Sequence, residues 1–382
     1  MNRPERDMFE DKYGLFYDAY DPQRQQKREE IKRQRDVKEA EKRARLARKA
    51  KLRRKAFIRR AGALLVLLAL ILGILFGVRG CTANSGKDAI SSAPVSSAAD
   101  QVNSPPENEP FAPVFTDDTA ALGDDILSKN AILINVDKGT VAASKSVTER
   151  IRPASLVKVM TALVAVERLT DLDAVYTFDH DLLNPLYNSD LIMIGYDQGE
   201  TATVDELFHG ALMFSGADST MALVDLAADS EEDFIRLMNE KAAQLGLKDT
   251  HFDNAVGTDS DGLYTTCYDM AVIMQAALSN DYLRKVISTE NYLLPANERH
   301  PDGIPLKNSM FAKMHGTEPE VAVIKGGKTG FTAKAGFCLV SWAEGKDGSE
   351  WIAVSTGADG SYNPIYDSFK LYKNYTGLTK TE

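Results

Sequence analysis

The sequence predicts an α+β domain, with an antiparallel sheet flanked by helices, preceded by a single transmembrane helix. Three observations predict this. Apolar, β-rich runs stand near both ends of residues 122–382, at 131–143 and 336–356, and the stretch between them reads mostly as helix. Residues 61–78 form a run of 18 without a charge, enough as a helix for about 27 Å of the ~30 Å hydrocarbon core. Charge divides at that run: residues 1–81 carry 22 Lys/Arg and 11 Asp/Glu, residues 82–382 carry 23 and 44, so the two sides are +11 and −21. Basic flanks stay in the cytoplasm and the other side is exported, which excludes a uniformly cytoplasmic protein.

Residues 1–60 are therefore predicted as a cytoplasmic basic segment. Its 23–60 portion, with 18 basic and 5 acidic residues, reads as a solvated helix beside anionic lipid. No interleaved aromatics or recognition motif accompany those charges, so nucleic acid is not the expected partner. A cleaved signal peptide fits worse than a membrane helix, because 60 residues precede the apolar run and no small-x-small cleavage site closes it, and Arg79 argues against lipidation at Cys81. Residues 79–121 hold Pro94, Pro105, Pro106, Pro110 and Pro113 among Ser, Ala and Asn, and are predicted as a disordered extracytoplasmic linker spanning roughly 35 Å.

From Leu122 the pattern becomes globular. The apolar run 131–136, the turn Asp137-Lys138-Gly139 and residues 140–143 read as a hairpin. Pro153 then precedes an apolar stretch, 156–169, that reads as a buried helix. Thr203 with Glu206 forms a capping box for a helix over 204–214, Ser230 with Asp233 caps another over 231–245 closed by Gly246, and a further helix covers about 268–278. The runs 336–343 and 351–356 form the last hairpin, with Gly345 and Gly348 in its turn. Cys81, Cys267 and Cys338 are too few for a disulfide framework, and no metal-ligand spacing occurs among them or the five histidines. Asp259-Ser260-Asp261-Gly262 resembles part of a calcium loop, but Tyr268 stands where its closing Glu belongs, so it reads as a turn. Neither metal nor cofactor is expected.

Ser155-Leu156-Val157-Lys158 is an S-x-x-K sequence, and residues three apart on a helix share a face, which brings the lysine to the serine hydroxyl. Lysine acts as a base only when neutral, and lowering its pKa by about three pH units from ~10.4 takes roughly 4 kcal/mol from burial or a nearby cation. By itself the motif is more often an exposed lysine on a helix. Lys328-Thr329-Gly330, the one K-T-G in the chain, tips the balance. A strand edge carrying Lys and Thr beside a glycine lets a peptide lie against it while the two side chains hold a carboxylate. S-x-x-K followed by K-T-G, with a serine motif between, marks penicillin-binding proteins and class A β-lactamases.

Residues 131–135, the stretch from Arg152 through Ser155 and Lys158 to Ala162, Leu247 to Phe252, Lys328 to Thr332 and Ala335 to Val340 resemble the low-molecular-mass D-alanyl-D-alanine carboxypeptidases, the S11 serine peptidases. The resemblance implies a penicillin-binding protein/β-lactamase-like fold and a DD-peptidase catalytic domain over 122–382. It implies Ser155 as nucleophile, Lys158 as base, and Ser215 as proton relay. Lys328, Thr329 and Thr332 would hold the substrate carboxylate, with the N–H groups of Ser155 and Phe331, beside Gly330, as oxyanion hole. The implied partners are peptidoglycan stem peptides ending in D-Ala-D-Ala, β-lactams as covalent inhibitors, and the membrane through the N-terminal helix.

Three departures from the family pattern accompany it. Ser215-Gly216-Ala217 stands where S-x-N is usual, so Ala217→Asn is expected to raise the acylation rate. Pro364 stands near the place of an arginine, and no arginine follows Arg299. The chain ends some 50 residues after Gly330, which leads to the expectation that a C-terminal β-rich domain and anchor are absent. The competing readings are a β-lactamase-like hydrolase, which lacks the E-x-x-L-N its deacylation would need, and a low-turnover penicillin-binding module that senses cell-wall peptides.

Overall fold

The computed structural model describes residues 110–314 and 319–378. The predicted cytoplasmic segment, the transmembrane helix at 61–78 and most of the predicted linker lie outside them. No helix among the described residues is long and apolar enough to cross a membrane.

The elements run in the order β1 (Val114–Ala121), β2 (Asn130–Asn135), β3 (Thr140–Lys145), a 3₁₀ turn (Ala154–Leu156) leading into α1 (Val157–Val166), β4 (Val175–Thr177), α2 (His180–Tyr187), β5 (Thr201–Thr203) and α3 (Val204–His209). A π turn (Gly210–Phe214) then leads to α4 (Ala217–Ala227), α5 (Glu231–Gln244), α6 (Cys267–Leu278), α7 (Asp281–Ser288), β6 (Asn291–Leu294) and β7 (Ile304–Lys307). The chain closes with α8 (Phe311–Met314), β8 (Ala322–Thr332), β9 (Gly336–Gly345), β10 (Glu350–Ala358) and α9 (Asn363–Tyr375).

Among the described residues six strands form one sheet in the order β1-β3-β2-β10-β9-β8. The first and last hairpins meet as predicted, with β2 pairing β10 antiparallel through Ile132 opposite Val354 and Leu133 opposite Ala353. Every residue of β2 is buried, because both faces of the sheet are covered. Ile132, Ile134, Ile352 and Val354 enter the core beneath α1 and α6, while Ala131, Leu133, Trp351 and Ala353 enter a second core with Leu371 and Tyr372 of α9. A strand sends alternate side chains to opposite faces, so one apolar run feeds two cores. Residues Val157 to Ala165 of α1 are buried all round, which is why its apolar pattern is continuous.

Three expectations need correction. The sheet is mixed, since β1 pairs parallel with β3, and β1 itself falls within the predicted disordered linker. Its sequence, VFTDDTAA, is mostly exposed at the sheet's edge, with its polar residues in the middle. It is held by main-chain pairing and by Thr119 Oγ1 donating to the carbonyl of Val141 at 2.7 Å, contacts that leave no apolar periodicity to read. The predicted helix over 204–214 forms, with its capping box, but its second half is π-helical.

Candidate active site

Ser155 sits in the 3₁₀ turn that opens after Pro153, one residue beyond Ala154, whose φ of +49° is in the left-handed region. Such strain of order 1–3 kcal/mol persists only where neighbours impose it. The next turn carries Lys158, whose Nζ donates to Ser155 Oγ at 3.2 Å and to the carbonyl of Val256 at 2.7 Å. Thr161, one turn on, donates to the carbonyl of Ala255 at 2.7 Å. These carbonyls belong to a loop that Asn254 braces, its Oδ1 accepting from the N–H groups of Gly257 at 2.7 Å and Thr258 at 3.1 Å. Gly257 has φ +90°, and a Cβ there would stand 2.0 Å from the carbonyl oxygen of Ala154. Only glycine lets the loop approach the serine turn so closely.

Lys158 is 1% exposed. Burial brings its pKa down to about 7, against the upward pull of the Asp218 carboxylate. Near neutrality a substantial part of this amine is unprotonated, as a base for the serine requires.

The middle motif is presented by a different device. The Thr203–Glu206 capping box starts α3, the π turn carries the chain on, and Ser215 ends it in a left-handed conformation at φ +71°. Ser215 is 5% exposed and its Oγ has no partner among the described residues. No hydrogen bond joins it to Ser155 or Lys158. Ala217, first in α4, is fully buried in an apolar cluster with Leu186 and Val256. An asparagine there would thrust an amide among aliphatic side chains, a packing cost that the sequence-based expectation for Ala217→Asn does not include. Asp218, also fully buried, accepts from the N–H groups of Ile194 at 3.0 Å, Gly195 at 2.8 Å and Ser219 at 2.9 Å.

The third wall is β8, the last strand of the sheet, whose free edge passes the serine turn. A Cβ on Gly330 would stand 3.1 Å from Ser155 N and 3.2 Å from the carbonyl of Pro153, so the glycine permits this approach. Lys328 is 1% exposed and donates to the carbonyl of Thr329 at 2.7 Å. Burial first, then the ammoniums of Lys158 and Lys313, hold its pKa well below the usual lysine range. Thr329 Oγ1 pairs with Ser309 Oγ at 2.6 Å. Phe331 is 54% exposed and stacks on Phe337 with ring centroids 4.2 Å apart.

Thr332 departs from expectation. Its hydroxyl donates to Asp259 at 2.8 Å and accepts from Ala335 N at 3.0 Å, so it closes the turn after β8 and has no proton left for a substrate carboxylate. The acidic run beginning at Asp259 is likewise engaged in loop contacts, with Ser260 bonded to Asp253 and Asp261 paired with Arg152 at 2.9 Å. Pro364 is buried in the first turn of α9. Sequence reasoning missed Asn254, Asp218, Ser309 and Lys313. Asn254 and Gly257 carried a turn signal, whereas Ser309 reaches Thr329 only through the fold.

The arrangement can transfer an acyl group: a serine on a strained turn, a buried amine in contact with it, a second buried lysine beyond, and a strand edge to seat an extended peptide. Fold and site together define an active-site-serine protein of the kind in which a lysine one helical turn on serves the nucleophile. The family described as D-alanyl-D-alanine carboxypeptidase, S11, matches residues 116–360, and the chain belongs to it. The D-alanyl-D-alanine carboxypeptidase DacF of Bacillus subtilis is 33% identical over 236 residues, covering 60% of this chain and 57% of that protein. DacA of Escherichia coli is 32% identical over 228 residues, covering 56% and 53%. The chain thus spans little more than half the length of these curated relatives. The structure of the Streptomyces K15 DD-transpeptidase matches with TM-score 0.59 at 26% identity, over 65% of this chain and 97% of that one. That of penicillin-binding protein 5 from Haemophilus influenzae matches with TM-score 0.57 at 25% identity, over 64% and 70%.

Proposed function

We propose that this protein is a serine-type D-Ala-D-Ala carboxypeptidase that removes the terminal D-alanine from peptidoglycan stem peptides. The contact between Lys158 Nζ and Ser155 Oγ, made by an amine whose pKa falls to about 7, carries the reading. Ser155 Oγ attacks the carbonyl between the last two D-alanines while Lys158 takes its proton, and the N–H groups of Ser155 and Phe331 stabilise the oxyanion. The proton passes by way of Ser215 to the leaving amine, the C–N bond breaks, and D-alanine departs. Water then hydrolyses the ester, regenerating Ser155. The buried, unpartnered Ser215 hydroxyl supports its role, because such a group costs about 1–3 kcal/mol unless the reaction cycle gives it a partner. β-Lactams would acylate the same serine.

The +11/−21 charge division about residues 61–78 supports a single-pass membrane protein with a cytoplasmic N-terminus and an extracytoplasmic catalytic domain. D-Alanine release from a diacetylated Lys-D-Ala-D-Ala tripeptide tests the activity, and its absence would overturn the reading. A stable penicillin adduct without that release would place the domain in the second reading, a low-turnover penicillin-binding module, which the apolar packing of Ala217 favours.

A further inference from the structure

Three lysine side chains, Lys158, Lys313 and Lys328, are close enough to interact electrostatically at β8, and their partners differ. Lys158 donates to Ser155 and Val256, and Lys328 to Thr329. Lys313, on α8, makes no hydrogen bond or ion pair through its ammonium among the described residues. Its Nζ stands 5.8 Å from the centroid of the Phe337 ring, which stacks on the exposed Phe331. Burial alone lowers its pKa, with no carboxylate to offset it, and its charge is felt by Lys328.

Placement on the fold gives this cation a direction. Thr329 and Phe331 point to the same side of β8, opposite to Lys328 and Gly330. Ser309 meets Thr329 on that side through the 2.6 Å hydroxyl pair. The Ala312 N–H bonds back to the Asn308 carbonyl at 3.0 Å, so the chain is already helical there and Lys313 lies one turn beyond Ser309. The Ser309 and Thr329 hydroxyls, the Lys313 side chain and the exposed Phe331 with its partner Phe337 therefore gather on one side of β8 and β9, and Thr329 and Phe331 flank the Gly330 that approaches Ser155. No guanidinium is supplied by the chain after Arg299.

We propose that Lys313 is a specificity-determining residue that receives the free C-terminal carboxylate of the substrate, with the Thr329 and Ser309 hydroxyls as its neighbours. This deepens the carboxypeptidase reading and rests on it. The carboxylate of benzylpenicillin, like that of the peptide, stands on the carbon bonded to the scissile amide nitrogen, so acylation by the acid and by its methyl ester separates charge recognition from chemistry.

In the full-length protein, Lys313→Met should slow acylation by benzylpenicillin about tenfold or more, the scale of a lost charge-assisted hydrogen bond. Acylation by the methyl ester should match wild type, and Lys313→Arg should recover most of the rate with the acid. For the tripeptide, the loss should fall chiefly on KM. A Met variant that matches wild type with the acid, or that loses equally with acid and ester, overturns the proposal. Normal wild-type acylation without D-alanine release would sink the carboxypeptidase reading, and the acid-to-ester ratio would still decide for or against Lys313.

Discussion

At the scale of single residues, the site depends on one hydroxyl and one buried amine. Ser155→Ala should abolish covalent penicillin labelling in a protein that remains folded by circular dichroism; a persisting adduct would exclude Ser155 as nucleophile. The Lys158 amine is charged below about pH 7 and neutral above it, so the acylation rate should rise with pH through about 7 and then level off. Asp218 pulls that pKa upward, so Asp218→Asn should move the midpoint to lower pH, whatever it does to stability. An unmoved midpoint would count against Asp218 as a group that raises the amine's pKa against its burial. Ala217→Asn overpacks the cluster with Leu186 and Val256, a change worth about 1–3 kcal/mol, and should lower Tm without faster acylation. A faster, equally stable variant would show that the site tolerates the amide after all.

At the scale of elements, the site is a meeting of the serine turn, the loop around Val256 and the edge of β8. Gly257 joins the first two: its positive φ and the 2.0 Å approach of any Cβ to the Ala154 carbonyl leave no room for a side chain. Gly257→Ala should cost about 1–3 kcal/mol in backbone strain and displace Val256 from Lys158. The expected outcome is a Tm lower by several degrees together with at least tenfold slower penicillin labelling; unchanged labelling would show that the loop does not position the amine. Sequence made some of these elements plain and hid others. The Thr203–Glu206 capping box and the two hairpins are local patterns and stood out. β1 stayed hidden because its eight residues are mostly exposed at the sheet's edge and pair with β3 through the main chain, with no alternation of apolar side chains to read. The π turn before Ser215 has no signature distinct from a helix.

At the scale of the whole molecule, the expected topology puts Cys81 on the outer side of the membrane. Cys267 and Cys338 are buried, so a membrane-impermeant maleimide should label intact cells at Cys81 only, and the label should vanish in Cys81→Ser. Labelling only after lysis would reverse the assigned orientation. The sequence by itself determined the order of the motifs, Ser155 with Lys158, Ser215, then Lys328 to Gly330, because each is a short local pattern, and their chemistry followed from the resemblance their order carries. It also predicted that the first and last hairpins share a sheet, since apolar β-rich runs stood near both ends of the domain. The tertiary structure decided the rest. It assigned Thr332 to a turn with Asp259, placed Ala217 among aliphatic side chains, brought the Val256 carbonyl to Lys158 across 98 residues of chain, and set Ser309 against Thr329. Those outcomes follow from packing and hydrogen bonding between segments remote in sequence, which no local periodicity encodes.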